Sequence, residues 1–381
     1  MQIRTIRIID YYLGNLLIAV LKPFVILLGD LLRRDHSLEP RENITIIKML
    51  GGGSLVIAFP SLLGLRKKYP GLSINLVTMK SVVPFARSLN VFDNITAIDD
   101  SGVFRFLLSS LRTYIRVFRT DTIVDLEVYS RLSTVFSALA CARNRIGFYL
   151  EEAFWRRRLH THLIYFNRFS GSHYFYDKIF GLFGISPAST ADCREHLLNH
   201  LPDTGKKGKY RICIGHGCSG LSLERMLDAG QWEKVFLSRI DGTSEAEVVF
   251  LGTERDSALA SEITRRLSPV FRGIEFINRC GKTSLDKSLS ILSSADEFWG
   301  IDSALLHYAR MFRIKCVSFW GPTDPATLLR EVPGLQEEIN YRRIPCSPCI
   351  HVTETPPCMG DNVCIQNLFN DKKRDWIGLV I

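Results

Sequence analysis

Polar side chains collect at the points where predicted strands of this chain end. In the second half of the sequence they include His216 and Ser219 in GHGCSG, Glu254 in LGTERD, and Asp302 with Ser303 in GIDSALLH. Carboxylates, hydroxyls and helix N-termini at such positions suit an anionic ligand that is rich in hydroxyl groups. These residues therefore predict a ligand site at the carboxyl ends of a set of parallel strands.

The motif WGIDSALLHYARMF carries a predicted helix start. Asp302 or Ser303 is placed to cap a helix that begins near Ala304, and His307 follows one turn later on the same face. An ordinary N-cap with a half-buried histidine is the structural alternative.

A second helix start follows in WGPTDPATLL, where Thr323 or Asp324 precedes Pro325 in the first turn. Two helix N-termini on adjacent strand ends create a local positive potential. The pair predicts a site for a diphosphate.

The first half of the chain has a glycine-rich corner after its first strand. Gly51 and Gly53 match two positions of the dinucleotide-binding fingerprint, but Val56 stands where the third glycine belongs. We therefore predict that Gly52, Gly53 and Ser54 form a loop close to a ligand other than NAD.

Four cysteines near the C-terminus have the spacing C-x2-C-x8-C-x5-C. They are Cys346, Cys349, Cys358 and Cys364. One C-x2-C pair with two further cysteines predicts a structural zinc site, with reduced thiols as the alternative.

These motifs are positioned by two series of alternating strands and helices. Strands that are apolar throughout and separated by helical stretches predict parallel sheets covered on both faces, so we expect two doubly wound α/β domains. The predicted boundaries are 1–43 for an N-terminal amphipathic or brace segment, 44–205 and 206–345 for the domains, and 346–381 for a cysteine-rich segment. The domains are expected to bind ligands in a cleft at their strand ends.

The composition excludes several classes of protein. The chain has 381 residues and a net charge of +9, which points to an acidic partner, but no zinc-finger, RNP or helix-turn-helix signature favours nucleic acid. The run Arg156–Arg158 is interpreted as a solvated face. Dispersed cysteines and the lack of a secretory signal predict a reducing, cytoplasmic location.

The N-terminal segment Leu13–Leu32 is apolar but is interrupted at its midpoint by Lys22 and Pro23. A helix that spans a membrane needs about 20 largely uninterrupted apolar residues. We therefore predict that it does not span, and that it is either an in-plane amphipathic helix on an anionic membrane or a brace packed on the protein.

The ordered series of motifs resembles glycosyltransferase family 9, the ADP-heptose:lipopolysaccharide heptosyltransferases. The resemblance runs from FPSLLGLRKKYPGLSINLV through DTIVDLEVYSRLSTVFSALACARNRIGFY and VVFLGTERD to CGKTSLDKSLSILSSAD and DSALLHYARMFRIKCVSFWGPTDP. It implies a GT-B fold, a sugar nucleotide held by the C-terminal domain, an acceptor held by the N-terminal domain, and inversion at the anomeric carbon without a metal. We therefore interpret Gly52, Gly53 and Ser54 as an acceptor-side loop.

The resemblance assigns donor binding to seven residues of the C-terminal half. They are Ser219, Arg225, Glu254, Asp302, Ser303, Ala304 and His307. Within this set, Glu254 is the carboxylate expected to accept hydrogen bonds from a ribose diol, and Ala304 replaces the usual glycine.

The chain departs from the family at the glycine corner, where Gly53-Ser54 stands in place of a Gly-Asp pair whose aspartate is the expected general base. A serine hydroxyl cannot accept the proton of a sugar hydroxyl without a base of its own. We predict that Glu127 is the base and that Asp125 supports its loop. The alternative role of Glu127 is a salt bridge to Arg131 or Arg143.

The sequence thus predicts an inverting, metal-independent glycosyltransferase that moves a sugar, by family precedent heptose from ADP-heptose, onto a lipopolysaccharide or another lipid-linked surface glycan. We expect no catalytic cofactor and a position in the cytoplasm, peripheral on the inner face of the membrane. The alternatives are a catalytically lapsed sugar-nucleotide-binding protein of the same fold and a GT-B sugar-nucleotide epimerase.

Overall fold

A computed structural model describes residues 3–32, 35–203, 208–218, 220, 222–240, 245–350, 352–353 and 356–370. The chain divides into two compact units, Met1–Ser189 and Thr190–Ile381. The division precedes the sequence-based boundary at 205/206, because the helix Thr190–Leu198 packs in the second unit against the helix Ala304–Phe312.

The first unit is a doubly wound α/β structure. Its strands are β1 (Asn43–Ile47), β2 (Ser73–Met79), β3 (Asn94–Ile98), β4 (Thr122–Asp125), β5 (Asn144–Tyr149) and β6 (His162–Tyr165). Its helices are α1 (Ile3–Leu32), α2 (Gly52–Lys68), α3 (Val83–Leu89), α4 (Val103–Val117), α5 (Arg131–Leu139) and α6 (Ser172–Gly181). The strands are all parallel and lie in the order β3-β2-β1-β4-β5-β6.

The second unit repeats this topology. Its strands are β7 (Tyr210–Gly215), β8 (Ala246–Phe250), β9 (Ile274–Asn278), β10 (Glu297–Ile301), β11 (Lys315–Trp320) and β12 (Glu337–Tyr341). Its helices are α7 (Thr190–Leu198), α8 (Ala229–Arg239), α9 (Ser257–Leu267), α10 (Leu285–Ser293), α11 (Ala304–Phe312), α12 (Pro325–Leu328) and α13 (Val363–Gln366). The parallel strands lie in the order β12-β11-β10-β7-β8-β9. When the strands of each unit are numbered from one and this order is read from β9 to β12, it is the same as the order of the first sheet.

Burial explains why the predicted strands form. The strand β10, with sequence EFWGI, is buried at all five positions, as expected for a central strand with helices on both faces. The predicted alternation is confirmed for β1 to β4 and for β7 to β11. The stretch 150–209, whose sequence carries no clear strand or helix period, contains β6, α6 and α7.

The C-terminal cysteine-rich segment is part of the second unit. Val363, Cys364 and Ile365 are buried in the same apolar cluster as Trp232 and Phe319. The chain after β12 therefore completes the core of this unit.

The N-terminal helix α1 is continuous through Pro23 and packs along α5. Asp10 accepts hydrogen bonds from Ser130 Oγ (2.8 Å), the Arg131 backbone N–H (3.0 Å) and the Leu132 backbone N–H (2.9 Å), so it caps the start of α5. Lys22 Nζ donates to the Trp155 carbonyl at 3.4 Å. These contacts are the ones expected of a brace packed on the protein, while the in-plane membrane helix stays a prediction.

Most of the other side of α1 is exposed and apolar. Among the described residues, its stretch Thr5–Leu31 alone is long and apolar enough to cross a membrane, a statement about length and composition only.

Candidate functional site

Both sheets reverse their strand order next to their first strand. The reversal lies between β1 and β4 in the first unit and between β7 and β10 in the second. In open α/β sheets, ligands bind beyond the carboxyl ends of the strands at such a switch point. The residues after these four strands are therefore the candidate site residues of each unit.

In the second unit, the N-terminus of α11 is uncapped. Ser303 holds the N-cap position in an extended conformation, but its side chain makes no capping hydrogen bond. Ser303 Oγ and, after β11, Thr323 Oγ1 are buried without a hydrogen-bond partner among the described residues. A buried hydroxyl that lacks a partner is costly, so both atoms are suited to a bound polar group.

Charged side chains surround this helix start. Arg225 Nη1 donates to the Asp302 carbonyl at 2.9 Å and lies 3.3 Å from Asp302 Oδ2. One turn into α11, His307 is buried, and burial lowers its pKa to about 4, although Asp302 acts in the opposite direction. His307 is therefore uncharged at neutral pH.

The end of β8 is held by a compact turn. Asp256 Oδ2 accepts from the Thr253 backbone N–H at 2.7 Å and from Thr253 Oγ1 at 2.8 Å. The buried His216, after β7, pairs with the Asp256 carbonyl at 2.9 Å. Glu254 is exposed and lies against Gly281, where a Cβ would come within 2.1 Å of Glu254 Oε2.

The residues at these three strand ends are close together. The pKa of the Cys218 thiol is raised by burial, and it also responds to Arg225, Asp256 and Asp302, which places the ends of β7, β8 and β10 within electrostatic range of one thiol. Asp324 caps α12 through the Ala326 backbone N–H at 2.9 Å, so that predicted helix start is confirmed.

Ala304 is the first residue of α11, as expected. Ser219 lies outside the described residues.

In the first unit, Glu127 is tied to the end of β1. Its Oε1 accepts from Lys48 Nζ (3.0 Å), the Met49 backbone N–H (2.7 Å) and the Leu50 backbone N–H (3.2 Å). Oε2 has no hydrogen-bond partner among the described residues. Burial acts to lower the pKa of Lys48, but Glu127, Tyr176 and Asp125 together leave that pKa raised.

Neither alternative partner of Glu127 is used. Arg131 Nε donates to Asn15 at 2.8 Å, and Arg143 pairs with Asp121 at 2.7 Å. Glu127 instead takes part in a salt bridge with Lys48 that is largely buried.

Asp125 supports the loop of Glu127, as predicted. Its Oδ1 accepts from the Glu127 backbone N–H at 3.0 Å, and its Oδ2 accepts from Ser133 Oγ at 2.8 Å and Arg156 Nη2 at 3.0 Å. Burial acts to raise the pKa of Asp125, but Arg156 and His160 leave it below its usual value.

The solvated-face interpretation of the arginine run is wrong for Arg156, which is fully buried because it neutralises Asp125.

The glycine corner has two structural requirements. Gly51 has a φ of 84°, a conformation that favours glycine, and a Cβ on Gly52 would lie 2.3 Å from the Phe85 ring. Ser54, in the first turn of α2, is within hydrogen-bonding range of the buried Tyr176 phenol, whose pKa is raised by burial. The role of this loop on the acceptor side stays a prediction.

The four C-terminal cysteines come together in the second unit. Burial raises the pKa of Cys349 to about 11, and Cys358 and Cys346 contribute to this rise through their proximity. Cys364 likewise responds to the other three thiols. The described ranges contain no group of three or more His, Cys, Asp or Glu side chains placed to hold a metal ion, and the structural zinc site stays a prediction.

Three site residues escaped the sequence analysis. Lys48 interrupts the apolar run ITIIKML directly after β1, and a buried lysine is a signal that a carboxylate must pair with it. Tyr176 and Arg156 lie in segments without a periodic pattern, so only the folded structure identifies the residues they contact.

A cavity of about 470 Å³ lies at the other edge of the second sheet, lined by residues at or near the starts of its strands, such as Tyr210 and Glu297.

Comparison with known proteins agrees with this fold. The model of glycosyltransferase family 9 (heptosyltransferase) matches residues 172–359. Lipooligosaccharide heptosyltransferase 2 of Campylobacter jejuni subsp. jejuni serotype O:6 is 26% identical over 148 residues, or 39% of this chain. That alignment spans 45% of the relative's length.

Three solved structures share the architecture. The glycosyl transferase family 9 protein of Veillonella parvula DSM 2008 has a TM-score of 0.60 at 16% identity, covering 80% of this chain and 87% of its own. E. coli ADP-heptose lps heptosyltransferase II has a TM-score of 0.58 at 16% identity, covering 80% of this chain and 91% of its own. E. coli heptosyltransferase WaaC with ADP has a TM-score of 0.61 at 15% identity, covering 78% of this chain and 92% of its own.

At these identities the solved structures show the fold alone, which is the GT-B fold expected from the sequence. The matched domain, the curated relative and the two parallel six-stranded sheets agree. Residues 172–359 thus match glycosyltransferase family 9 (heptosyltransferase), and the chain is heptosyltransferase-like in sequence and fold.

Proposed function

We propose that this chain is an inverting, metal-independent glycosyltransferase that moves heptose from ADP-heptose onto a lipopolysaccharide or another lipid-linked surface glycan at the cytoplasmic face of the membrane. The donor class is taken from WaaC, which has been solved with ADP and with ADP-2-deoxy-2-fluoro heptose. The observation that carries the proposal is the uncapped N-terminus of α11 beside the buried, unpartnered hydroxyls of Ser303 and Thr323.

The second unit binds the donor in this proposal. The free N–H groups of the first turn of α11 and its dipole attract the diphosphate, while Ser303 and Thr323 donate hydrogen bonds to phosphate oxygens. Arg225, whose charge Asp302 balances in the free protein, meets the charge of the ADP leaving group. Glu254 is exposed and accepts hydrogen bonds from the ribose diol.

The first unit supplies the base. The acceptor oxygen attacks the anomeric carbon while the bond from that carbon to the phosphate oxygen breaks, and the hydroxyl proton passes to Glu127 Oε2. Because Oε1 is held by Lys48 and two backbone N–H groups, the carboxylate is oriented before the acceptor binds. A single displacement of this kind inverts the anomeric carbon.

The test compares Glu127→Gln with Glu151→Gln, an exposed carboxylate that serves as the matched control. Transfer from ADP-heptose should fall by about 100-fold or more in Glu127→Gln and stay near wild type in Glu151→Gln. ADP should still raise the melting temperature of both variants. Wild-type turnover in Glu127→Gln would refute the base assignment.

The donor assignment has its own test. Ser303→Ala and Thr323→Ala should each weaken ADP binding by about 10-fold, because each removes one hydrogen bond to a charged group. Unchanged ADP affinity in both variants would refute this placement of the diphosphate.

A lapsed transferase that only binds sugar nucleotides is the second candidate. It is favoured by Ser54 at the position of the expected aspartate and by the engagement of Glu127 Oε1 with Lys48. Binding of ADP-heptose without turnover, across a panel of acceptors, would favour this candidate.

A further inference from the structure

The helix α4 carries its apolar side chains on the outside. An apolar stripe on this helix consists of Phe104, Leu107, Leu108, Leu111 and Ile115. Their spacing of three and four residues places them on one helix face. All five are exposed, with Phe104 77% and Ile115 65% accessible.

The inner face of α4 carries hydroxyl side chains. Thr113 is buried, and its Oγ1 donates to the Ser109 carbonyl at 2.8 Å. Ser109 Oγ accepts from the Asp99 backbone N–H at 2.9 Å. A surface helix of a soluble protein normally turns its apolar stripe to the core, so the outward stripe of α4 needs something to cover it.

An arginine row lies beside the apolar stripe. Arg105, Arg112 and Arg116, spaced by seven and four residues, are exposed on one flank of the helix. Residues 101–120 contain no aspartate or glutamate. None of the three arginines pairs with a carboxylate in the described part of the chain.

A second exposed apolar helix face belongs to the same unit. Tyr114 of α4 contacts Phe136 of α5 edge-on and donates to the Leu139 carbonyl at 3.3 Å, and α1 packs on the same helix α5. The exposed side of α1 includes Leu16 and Phe24. Two exposed apolar helix faces therefore flank α5 in the first unit.

We infer that α4 docks this unit on an anionic lipid bilayer, with the apolar stripe among the acyl chains near the headgroups and the arginine row on the lipid phosphates. An interfacial helix combines these two features, an apolar face and cations along its border. The positive row without a single carboxylate makes the surface complementary to anionic headgroups. The inference deepens the proposed function by naming the surface that reaches a lipid-linked acceptor.

The test measures co-sedimentation of the full chain with vesicles of phosphatidylcholine alone and of phosphatidylcholine mixed with phosphatidylglycerol. Arg112→Gln/Arg116→Gln should weaken binding to the anionic vesicles by about 30-fold, since each arginine near such a surface contributes about 1 kcal/mol. The control Arg87→Gln/Arg272→Gln changes the net charge equally at exposed sites on α3 and in the second unit. It should bind like wild type.

Leu111→Gln/Ile115→Gln tests the apolar stripe. It should weaken vesicle binding by about 100-fold because two largely exposed aliphatic side chains no longer enter the bilayer. The melting temperature should not change, because both side chains point to solvent. Wild-type vesicle binding by this variant, or loss of a dimer in light scattering without loss of vesicle binding, would overturn the inference.

Phe104→Trp reports insertion directly and needs no loss of binding. Its fluorescence, taken as the difference from wild type, should be quenched by brominated lipids in anionic vesicles. Quenching no greater than in wild type would also overturn the inference. Because none of these measurements requires turnover, a failure here is distinguishable from a failure of the transferase proposal.

Discussion

Titration of His307 should make the stability of the second unit depend on pH. The imidazole is buried in α11, and burial lowers its pKa to about 4 in the folded chain, against 6.5 for the ordinary group. The unfolded chain therefore binds more protons than the folded chain between these two values. Stability is present above pH 6.5 and is lost as the pH falls towards 4.

The size of this effect follows from the two pKa values. Integration of the proton linkage between pH 7 and pH 5 gives a loss of about 2 kcal/mol from His307 alone. For a urea m-value of about 2 kcal/mol/M, the unfolding midpoint shifts by about 1 M. Replacing the residue by His307→Gln removes this contribution at every pH.

The assay is urea unfolding at pH 7, 6 and 5, followed by tryptophan fluorescence. Trp232, Trp299 and Trp320 all lie in the second unit, so the signal reports mainly on that unit. Other buried histidines such as His216 titrate in both proteins and cancel in the difference. A stability difference between His307→Gln and wild type that is the same at all three pH values would refute the reasoning.

Three further predictions concern single contacts. Arg156→Met should destabilise the first unit by about 3–5 kcal/mol, measured by thermal unfolding, because it leaves Asp125 buried without its cation; Asp125→Asn in the same background should restore part of the loss. Asp10→Ala should cost about 1–2 kcal/mol and speed hydrogen exchange in the first turn of α5, whereas unchanged exchange would contradict the capping role. Gly281→Ala should lower the melting temperature and weaken ADP binding, because a Cβ on a residue with a φ of 71° would displace Glu254. An unaltered ADP affinity would show that Glu254 does not take part in donor binding.

The architecture could be predicted because the central strands are buried on both faces. Runs such as AEVVF and EFWGI are continuous in apolar character, and helices between them follow a clear period. The strand β5 and the edge strands β6 and β12 were not predicted. The sequences HLIY and EEINY of the two edge strands are partly exposed and resemble loops, and NRIGFY of β5 is interrupted by Arg145 and Gly147. The C-terminal segment was separated from its unit for a similar reason, because its buried residues are few and lie among prolines.

The candidate site could be predicted by position but not by pairing. Strand ends located Asp302, Ser303 and Glu127, because parallel strands end at one edge of a sheet. The partners of such residues come from distant parts of the chain. Lys48 is 79 positions from Glu127, a separation that no local spacing rule covers.

The contact between Asp10 and the first turn of α5 bears on how the chain can be shortened. A fragment that begins at Asp35 would present the side of α5 and Trp155 that α1 covers, and it would leave three donors on residues 130–132 without their acceptor. Ser130 and Ser133 start the helix that buttresses Asp125, so the defect would reach the Glu127 loop. Deleting the apolar N-terminus to gain solubility would thus disturb the loop that holds Glu127, and detergent is the better means to handle the intact chain.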